Sequence, residues 1–279
     1  MPPVRSWLYV PGDRPDRFDT AVHSGADAVV IDLEDAVTAD RKPFAREATA
    51  AFLMRHNPSN VLVRINALDM GGRDDLAALA RSRPAGIRVA KAEQPGQIEE
   101  VAAAAPEVPV WPVIESALGV EHALTLATCH RQVAGLLIGN VDLATDLRIT
   151  DPEVIRAVGL RVLVAAAAAG LPRPPMSVYP DLRDLTGLAQ DCIRGLAQGY
   201  WGRSVIHPSQ IPVVNGIFIP DQTALRHAQA IVAQANAHGT GAQVDSTGVF
   251  VDGAVVRHAR SVVDAAATEL DAGRRDQPQ

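Results

Sequence analysis

The stretch Ala28-Val29-Val30-Ile31-Asp32-Leu33-Glu34-Asp35 passes from an unbroken apolar run to a cluster of acids within eight residues. It is too short for a helix, is rich in β-branched residues and is apolar on both faces, which predicts a strand buried on both sides. Seven more runs of this kind occupy residues 6–10, 61–66, 86–91, 110–115, 135–139, 176–179 and 204–207. Between them lie Ala-rich stretches with helical spacing at 16–24, 42–56, 74–82, 96–105, 119–128, 151–169 and 184–198. Strand alternating with helix eight times predicts an α/β fold, a (β/α)8 TIM barrel. A doubly wound open sheet has the same alternation. A Gly-rich phosphate loop after the first strand would favour it, and Pro11-Gly12-Asp13-Arg14-Pro15 is not one.

The barrel is expected over residues 1–220, with a C-terminal helical extension over 221–279. Within the extension, 221–238 and 257–270 have helical composition, 239–248 reads as a loop, and 274–279 as a frayed tail. The 279 residues accommodate a barrel, which needs about 250. A formal net charge of −6 argues against a nucleic-acid partner. The two cysteines, Cys129 and Cys192, are too few for a disulfide framework and read as buried thiols in a reducing compartment. The N-terminus lacks the apolar run of a signal peptide, and the longest apolar stretch, 162–169, is far short of the roughly 20 residues that span a bilayer. A cytoplasmic protein without membrane contact is the expectation.

Active sites of such barrels lie at the C-terminal ends of the strands. Acids and bases gather there in this sequence: Asp32, Glu34 and Asp35; Arg64; Lys91; Glu115 and Ser116; Asp142; and His207. Core packing does not explain so many, because unpaired buried charge is costly. Glu115 and Asp142 each follow an apolar strand and would face one another. Two carboxylates with no His or Cys beside them suit a hard cation, Mg²⁺ or Mn²⁺. Structural ion pairs with Arg64 and Lys91 are the alternative. Arg64 offers a fixed fork of donors for a carboxylate or oxyanion, and Glu34 and Asp35 could support metal-bound water. Arg14 and Arg17 suit phosphates or a substrate carboxylate, or are solvated surface arginines. His207 before Pro208 is either a ligand contact or a ring packed in a turn.

Six segments in order resemble the citrate lyase β-subunit-like branch of the HpcH/HpaI aldolase superfamily. They are Arg5-Ser6-Trp7-Leu8-Tyr9-Val10-Pro11-Gly12, Gly25-Ala26-Asp27-Ala28 through Asp35-Ala36-Val37, Val63-Arg64-Ile65-Asn66, Ile114-Glu115-Ser116-Ala117, Gly139-Asn140-Val141-Asp142-Leu143 and Ile206-His207-Pro208-Ser209-Gln210-Ile211. The resemblance implies a barrel with Mg²⁺ on Glu115 and Asp142 and catalysis around Arg64, Glu34, Asp35 and Lys91. It implies ligand contacts at Arg14, Arg17, Ser116, Gly139, His207 and Pro208, and a homotrimer. The activity implied is a carbon–carbon lyase on a coenzyme A or acyl-carrier thioester such as malyl, citramalyl or citryl. An aldolase on free 2-keto acids and a non-catalytic ligand-binding barrel are the other readings. Three departures stand out. Ala90 precedes Lys91 where relatives often have Pro, and Ser177 stands where they often carry Asp. Near the C-terminus, Asp252-Gly253-Ala254-Val255-Val256 runs straight into Arg257-His258, without the acid/base Asp of thioester-cleaving relatives.

Overall fold

A computed structural model describes residues 4–219, 222–238, 243–244, 250–260 and 262–263. Residues 4–218 form one compact unit, and the described residues from Ile219 onward form another. The first is built on seven parallel strands: β1 (Ser6–Pro11), β2 (Ala28–Asp32), β3 (Val61–Ile65), β4 (Gly86–Val89), β5 (Val110–Ile114), β6 (Leu137–Ile138) and β7 (Arg203–Val205). Their order in the sheet is β6-β5-β4-β3-β2-β1-β7, so each strand from β1 to β6 lies beside its sequence neighbour and β7 returns beside β1.

The sheet is strongly curled. In a flat sheet, β1 and β5 would lie four strand spacings apart, roughly 19 Å. Instead the rings of Trp7 on β1 and Trp111 on β5 meet edge to face with centroids 5.3 Å apart. Arg88 on β4 reaches across to donate from Nη1 to the Tyr9 hydroxyl on β1 at 2.7 Å. Alternation along each strand separates two apolar layers. Trp7, Ala28, Val30, Leu62, Trp111, Val113 and Leu137 fill the concave interior. Leu8, Val10, Val29, Ile31, Val63, Ile65, Ile87 and Val89 pack outward with the helices.

One of the eight expected strands does not form. Residues 176–179 contribute a single parallel bridge, Met176 to Arg203. Pro172, Pro174 and Pro175 precede it, and proline supplies no N–H to a ladder. The expected eighth run is accordingly the seventh strand, β7. An unexpected helix, Asn140–Leu147, begins one residue after β6, and Ile211–Ile217 is helical as well.

The long helices end where side chains take over backbone partners. Lys42–His56 has Pro at its start and stops at Asn57, which adopts φ 42°. Pro152–Ala168 starts at Asp151, whose carboxylate accepts the Glu153 N–H. Leu185–Gln198 starts at Asp184, which accepts from Gly187 N, and stops at Gly199 with φ 105°, a backbone state that favours glycine. Cys192 is buried on this helix and Cys129 half-buried elsewhere, both as free thiols. Among the described residues, no helix is long and apolar enough to cross a membrane.

The second unit contains the helix Gln222–His238, an antiparallel pairing of Gln243–Val244 with Phe250–Val251, and a helix over residues 253–260. Ala228, Ile231, Ala235, Val251, Val256 and Ala259 form its core. It is therefore not wholly helical. Most of the loop expected at 239–248, the far end of the expected 257–270 helix and the 274–279 tail lie outside the described residues.

Candidate active site

The C-terminal ends of the strands surround a cavity of about 560 Å³. Its wall includes Tyr9, Asp32, Asp35, Arg64, Arg88, Glu115, Gly139, Asp142, Ser177 and Ser204. Five residues expected at a functional site, Asp35, Arg64, Glu115, Gly139 and Asp142, thus share one space.

Arg64 leaves β3 beside Asp32 at the end of β2, and the two residues are in register. Its Nε and Nη2 donate to the two Asp32 oxygens at 2.7 and 2.6 Å. Its Nη1 lies 2.9 Å from Glu34 Oε2 and 3.6 Å from Asp35 Oδ2. Asp32 also accepts the backbone N–H groups of Glu34 and Ala36. Burial opposes the Arg64 charge, but the hydrogen bonds and charge of Asp32 outweigh it and hold the guanidinium protonated above its ordinary value. The fork is locked rather than mobile.

Glu34 is buried behind this pair, and Lys91 Nζ donates to its Oε1 at 2.8 Å. Burial raises the Glu34 pKa despite the charges of Arg64 and Lys91. Lys91 feels the converse: burial lowers it, and the bond to Glu34 more than restores it. Lys91 adopts φ 50° after Ala90, and its backbone N–H donates to Glu115 Oε1 at 2.6 Å. A left-handed lysine therefore joins the two acids, through its ammonium and its amide.

Glu115, just beyond β5, is 3% exposed. Burial pushes its carboxyl up to about 7, the negative charges of Glu34 and Asp142 add to this, and the Lys91 amide and charge oppose it. Asp142 stands in the first turn of the Asn140–Leu147 helix and not on a strand end. Gly139, the residue before this helix, leaves space for Glu115. A Cβ on it would lie 2.3 Å from Glu115 Oε2 and 2.7 Å from Glu115 Cβ. Among the described residues no group of three or more His, Cys, Asp or Glu could enclose a metal, so any cation here would have protein ligands on one side only. Two oxygen donors, one of them driven towards neutrality chiefly by burial, fit a hard divalent ion that keeps positions for water and substrate.

The remaining expected residues are placed otherwise. Ser116 caps the Ala117–Glu121 helix, accepting from Gly119 N and donating to Glu93 Oε1 at 2.5 Å. His207 accepts the Ser209 N–H at the head of the Pro208–Gln210 turn, with Pro208 as its first residue. Arg14 pairs through two bonds with exposed Asp16, and Arg17 lies on the exposed turn Pro15–Arg17. None of these five, nor Glu34 and Lys91, is on the cavity wall described. Sequence reading passed over Tyr9, Arg88 and Ser204. The charge of Arg88 inside an otherwise apolar strand was the available signal. Ser177, noted only as a departure, accepts the Asn140 N–H at 3.4 Å. In the second unit, the Asp252 carboxylate accepts from Ala254 N and Val255 N and caps the 253–260 helix. These backbone hydrogen bonds, that of Val255 first, lower its pKa.

Residues 5–208 match the HpcH/HpaI aldolase/citrate lyase family. The chain belongs to this family. It is 34% identical over 265 residues to a (3S)-malyl-CoA thioesterase of Cereibacter sphaeroides, covering 92% of this chain and 90% of that protein. A citrate lyase subunit beta-like protein of Mycobacterium tuberculosis is 33% identical, with 92% of this chain and 93% of that protein covered. Among solved structures, M. tuberculosis CitE in complex with magnesium, acetoacetate and coenzyme A superposes with a TM-score of 0.82 at 32% identity, covering 95% of this chain and 98% of that one. The citrate lyase beta subunit of the same organism, complexed with oxaloacetate and magnesium, gives 0.69 at 33% identity over 78% and 97%. These matches place the chain in the citrate lyase β-like branch and make it a lyase-family enzyme.

Proposed function

We propose that the protein is a Mg²⁺-dependent carbon–carbon lyase that cleaves, or in reverse forms, a small 3-hydroxyacyl-CoA thioester. The observation that carries this reading is the pairing, on one cavity, of the locked Arg64 fork with the Glu115–Asp142 carboxylates. The magnesium and coenzyme A complexes of the M. tuberculosis relative support it. We read the curled sheet, with the Met176 bridge as its eighth member, as a closed (β/α)8 barrel.

Lewis-acid polarisation of the hydroxy acid's oxygens is what a bound Mg²⁺ (or Mn²⁺) supplies. Glu115 and Asp142 hold it and fix the bond to be broken. Asp32 engages Nε and Nη2 of Arg64 and Glu34 lies against Nη1; the second N–H on each of Nη1 and Nη2 is directed at the oxyanion of the departing thioester enolate. Glu34 and Lys91 set the charge behind it. Asp35 is the exposed carboxylate on the wall, so it takes the hydroxyl proton as the carbon–carbon bond opens to a keto acid and an enolate. The enolate then gains a proton to give acetyl-CoA. Asp252 is engaged as a helix cap and is not assigned this work. We place Arg14, Arg17, Ser116, His207 and Pro208 around the mouth as supports for the thioester arm.

Residues 1–220 are proposed as the catalytic barrel and 221–279 as the extension that meets a neighbour in a homotrimer in the cytoplasm. Exposed Leu124, Leu160 and Val164, which share one apolar groove, support self-association. The deciding experiment incubates malyl-, citramalyl- and citryl-CoA with and without Mg²⁺, beside Glu115→Ala. Metal-dependent acetyl-CoA, absent in the variant, is the expected result. The malyl-CoA thioesterase relative makes hydrolysis the second reading, and free CoA without acetyl-CoA would select it. No product from any thioester would turn the search to free 2-keto acids.

A further inference from the structure

Arg88 is a buried charge with no ion-pair partner within reach among the described residues. Its side chain is fully buried on the interior of β4, in register with Arg64. Arg64 has taken both oxygens of Asp32 and faces Glu34. Arg88 has no carboxylate partner: Nη1 donates to the Tyr9 hydroxyl, while Nε and Nη2 have no hydrogen-bond partner. The guanidinium lies over the rings of Trp7, at 4.5 Å, and Tyr9, at 5.3 Å. Ring faces attract a cation but leave its in-plane N–H groups unsatisfied. Burying a charge with donors unmet costs several kcal/mol unless something else supplies the acceptors. Arg88 and Tyr9 both belong to the wall of the cavity that holds Glu115 and Asp142. The Tyr9 oxygen accepts from Arg88, so its own proton is left to donate elsewhere.

We propose that Arg88 and Tyr9 form an anion subsite that selects a keto acid with a second carboxylate, a 2-oxo diacid rather than a 2-oxo monoacid. The first carboxylate and the 2-oxo group remain with Glu115, Asp142 and their cation, so the inference rests on the lyase reading for its substrate. The distal carboxylate meets the unpartnered Arg88 N–H groups and the Tyr9 hydroxyl. Such a site discriminates strongly because a monoacid leaves the buried donors unmet. An alkyl chain in the same place would face a bare guanidinium.

The test uses the full-length protein loaded with Mg²⁺ and measures calorimetric binding of oxaloacetate and 2-oxoglutarate against 2-oxobutyrate and 2-oxopentanoate. Wild type is expected to bind at least one diacid tenfold or more tighter than the monoacid of equal chain length. Arg88→Met should bring that ratio within about threefold of one, Arg88→Lys should restore part of it, and Tyr9→Phe should lower it several-fold. Should Arg88→Met fail to fold, wild type and Tyr9→Phe still decide the matter. A wild type without preference, or variants that keep it in full, would overturn the proposal. Condensation of each acid with acetyl-CoA is assayed in parallel. Diacid selectivity without condensation leaves the subsite standing and removes the lyase reading; condensation without selectivity does the reverse.

Discussion

At the scale of single residues, Glu115 couples metal, proton and stability. Its carboxyl is raised to about 7 in the folded chain and returns to the ordinary glutamate range, near 4.3, when unfolded. Between these values the folded state holds the extra proton, so stability falls as pH rises. The metal-free protein should lose on the order of 3 kcal/mol between pH 4.5 and 7 from this group. Denaturant titrations should show the slope in wild type and its absence in Glu115→Gln. A cation favours the ionised form, so apparent Mg²⁺ affinity should rise by up to tenfold per pH unit below 7 and level off above it. Gly139→Ala should collapse the same site, because its Cβ would overlap Glu115. We expect loss of Mg²⁺ binding and a cost of about 1–3 kcal/mol. Asp35→Asn should lower kcat at least a hundredfold while Mg²⁺ affinity, read by calorimetry, stays within a few-fold.

At the scale of elements, the strands were legible because each joins a short apolar run to a polar end. The same rule pointed to Arg64, Glu115 and Asp142, which line one cavity, although Asp142 stands in a helix turn and not at a strand end. It misjudged residues 176–179, where three prolines outweigh the composition of the run. It also missed the Asn140–Leu147 helix, which begins at a glycine with no side-chain cap and has no cap signal to read. Ser116 was legible as a motif residue but not as a helix cap, and for His207 the turn and ligand readings stood side by side, since a capping side chain and a ligand contact share residue types. Arg88 stayed hidden because strand pattern tells which face a residue occupies but not what awaits it across a curled sheet. Asp252 is likewise an element-scale residue. Asn also caps helices, so Asp252→Asn should keep both stability and turnover within about threefold, whereas a proton-transferring Asp252 would lose activity outright. Thermal melts and steady-state rates on the same preparation separate the two.

At the scale of the whole molecule, a groove on the first unit is lined by Leu124, Leu160 and Val164. Val164 is 69% exposed and Leu124 48%, on helices that flank the groove. If this face joins copies of the chain, Leu124→Glu with Val164→Glu should convert the assembly to monomers in light scattering. The fold of each monomer should survive, because neither side chain is in the core, and circular dichroism checks this. An unchanged particle mass would assign the contacts to another face.

Trp7, which meets Trp111 edge to face, also lies beneath the Arg88 guanidinium. The chain has three tryptophans, and the third, Trp201, packs against Phe218 and under Arg173. One of the three tryptophans thus touches a residue of the cavity wall and a second packs against the first. Their emission and near-ultraviolet ellipticity should register any charge arriving there, so occupancy can be followed in real time without a label.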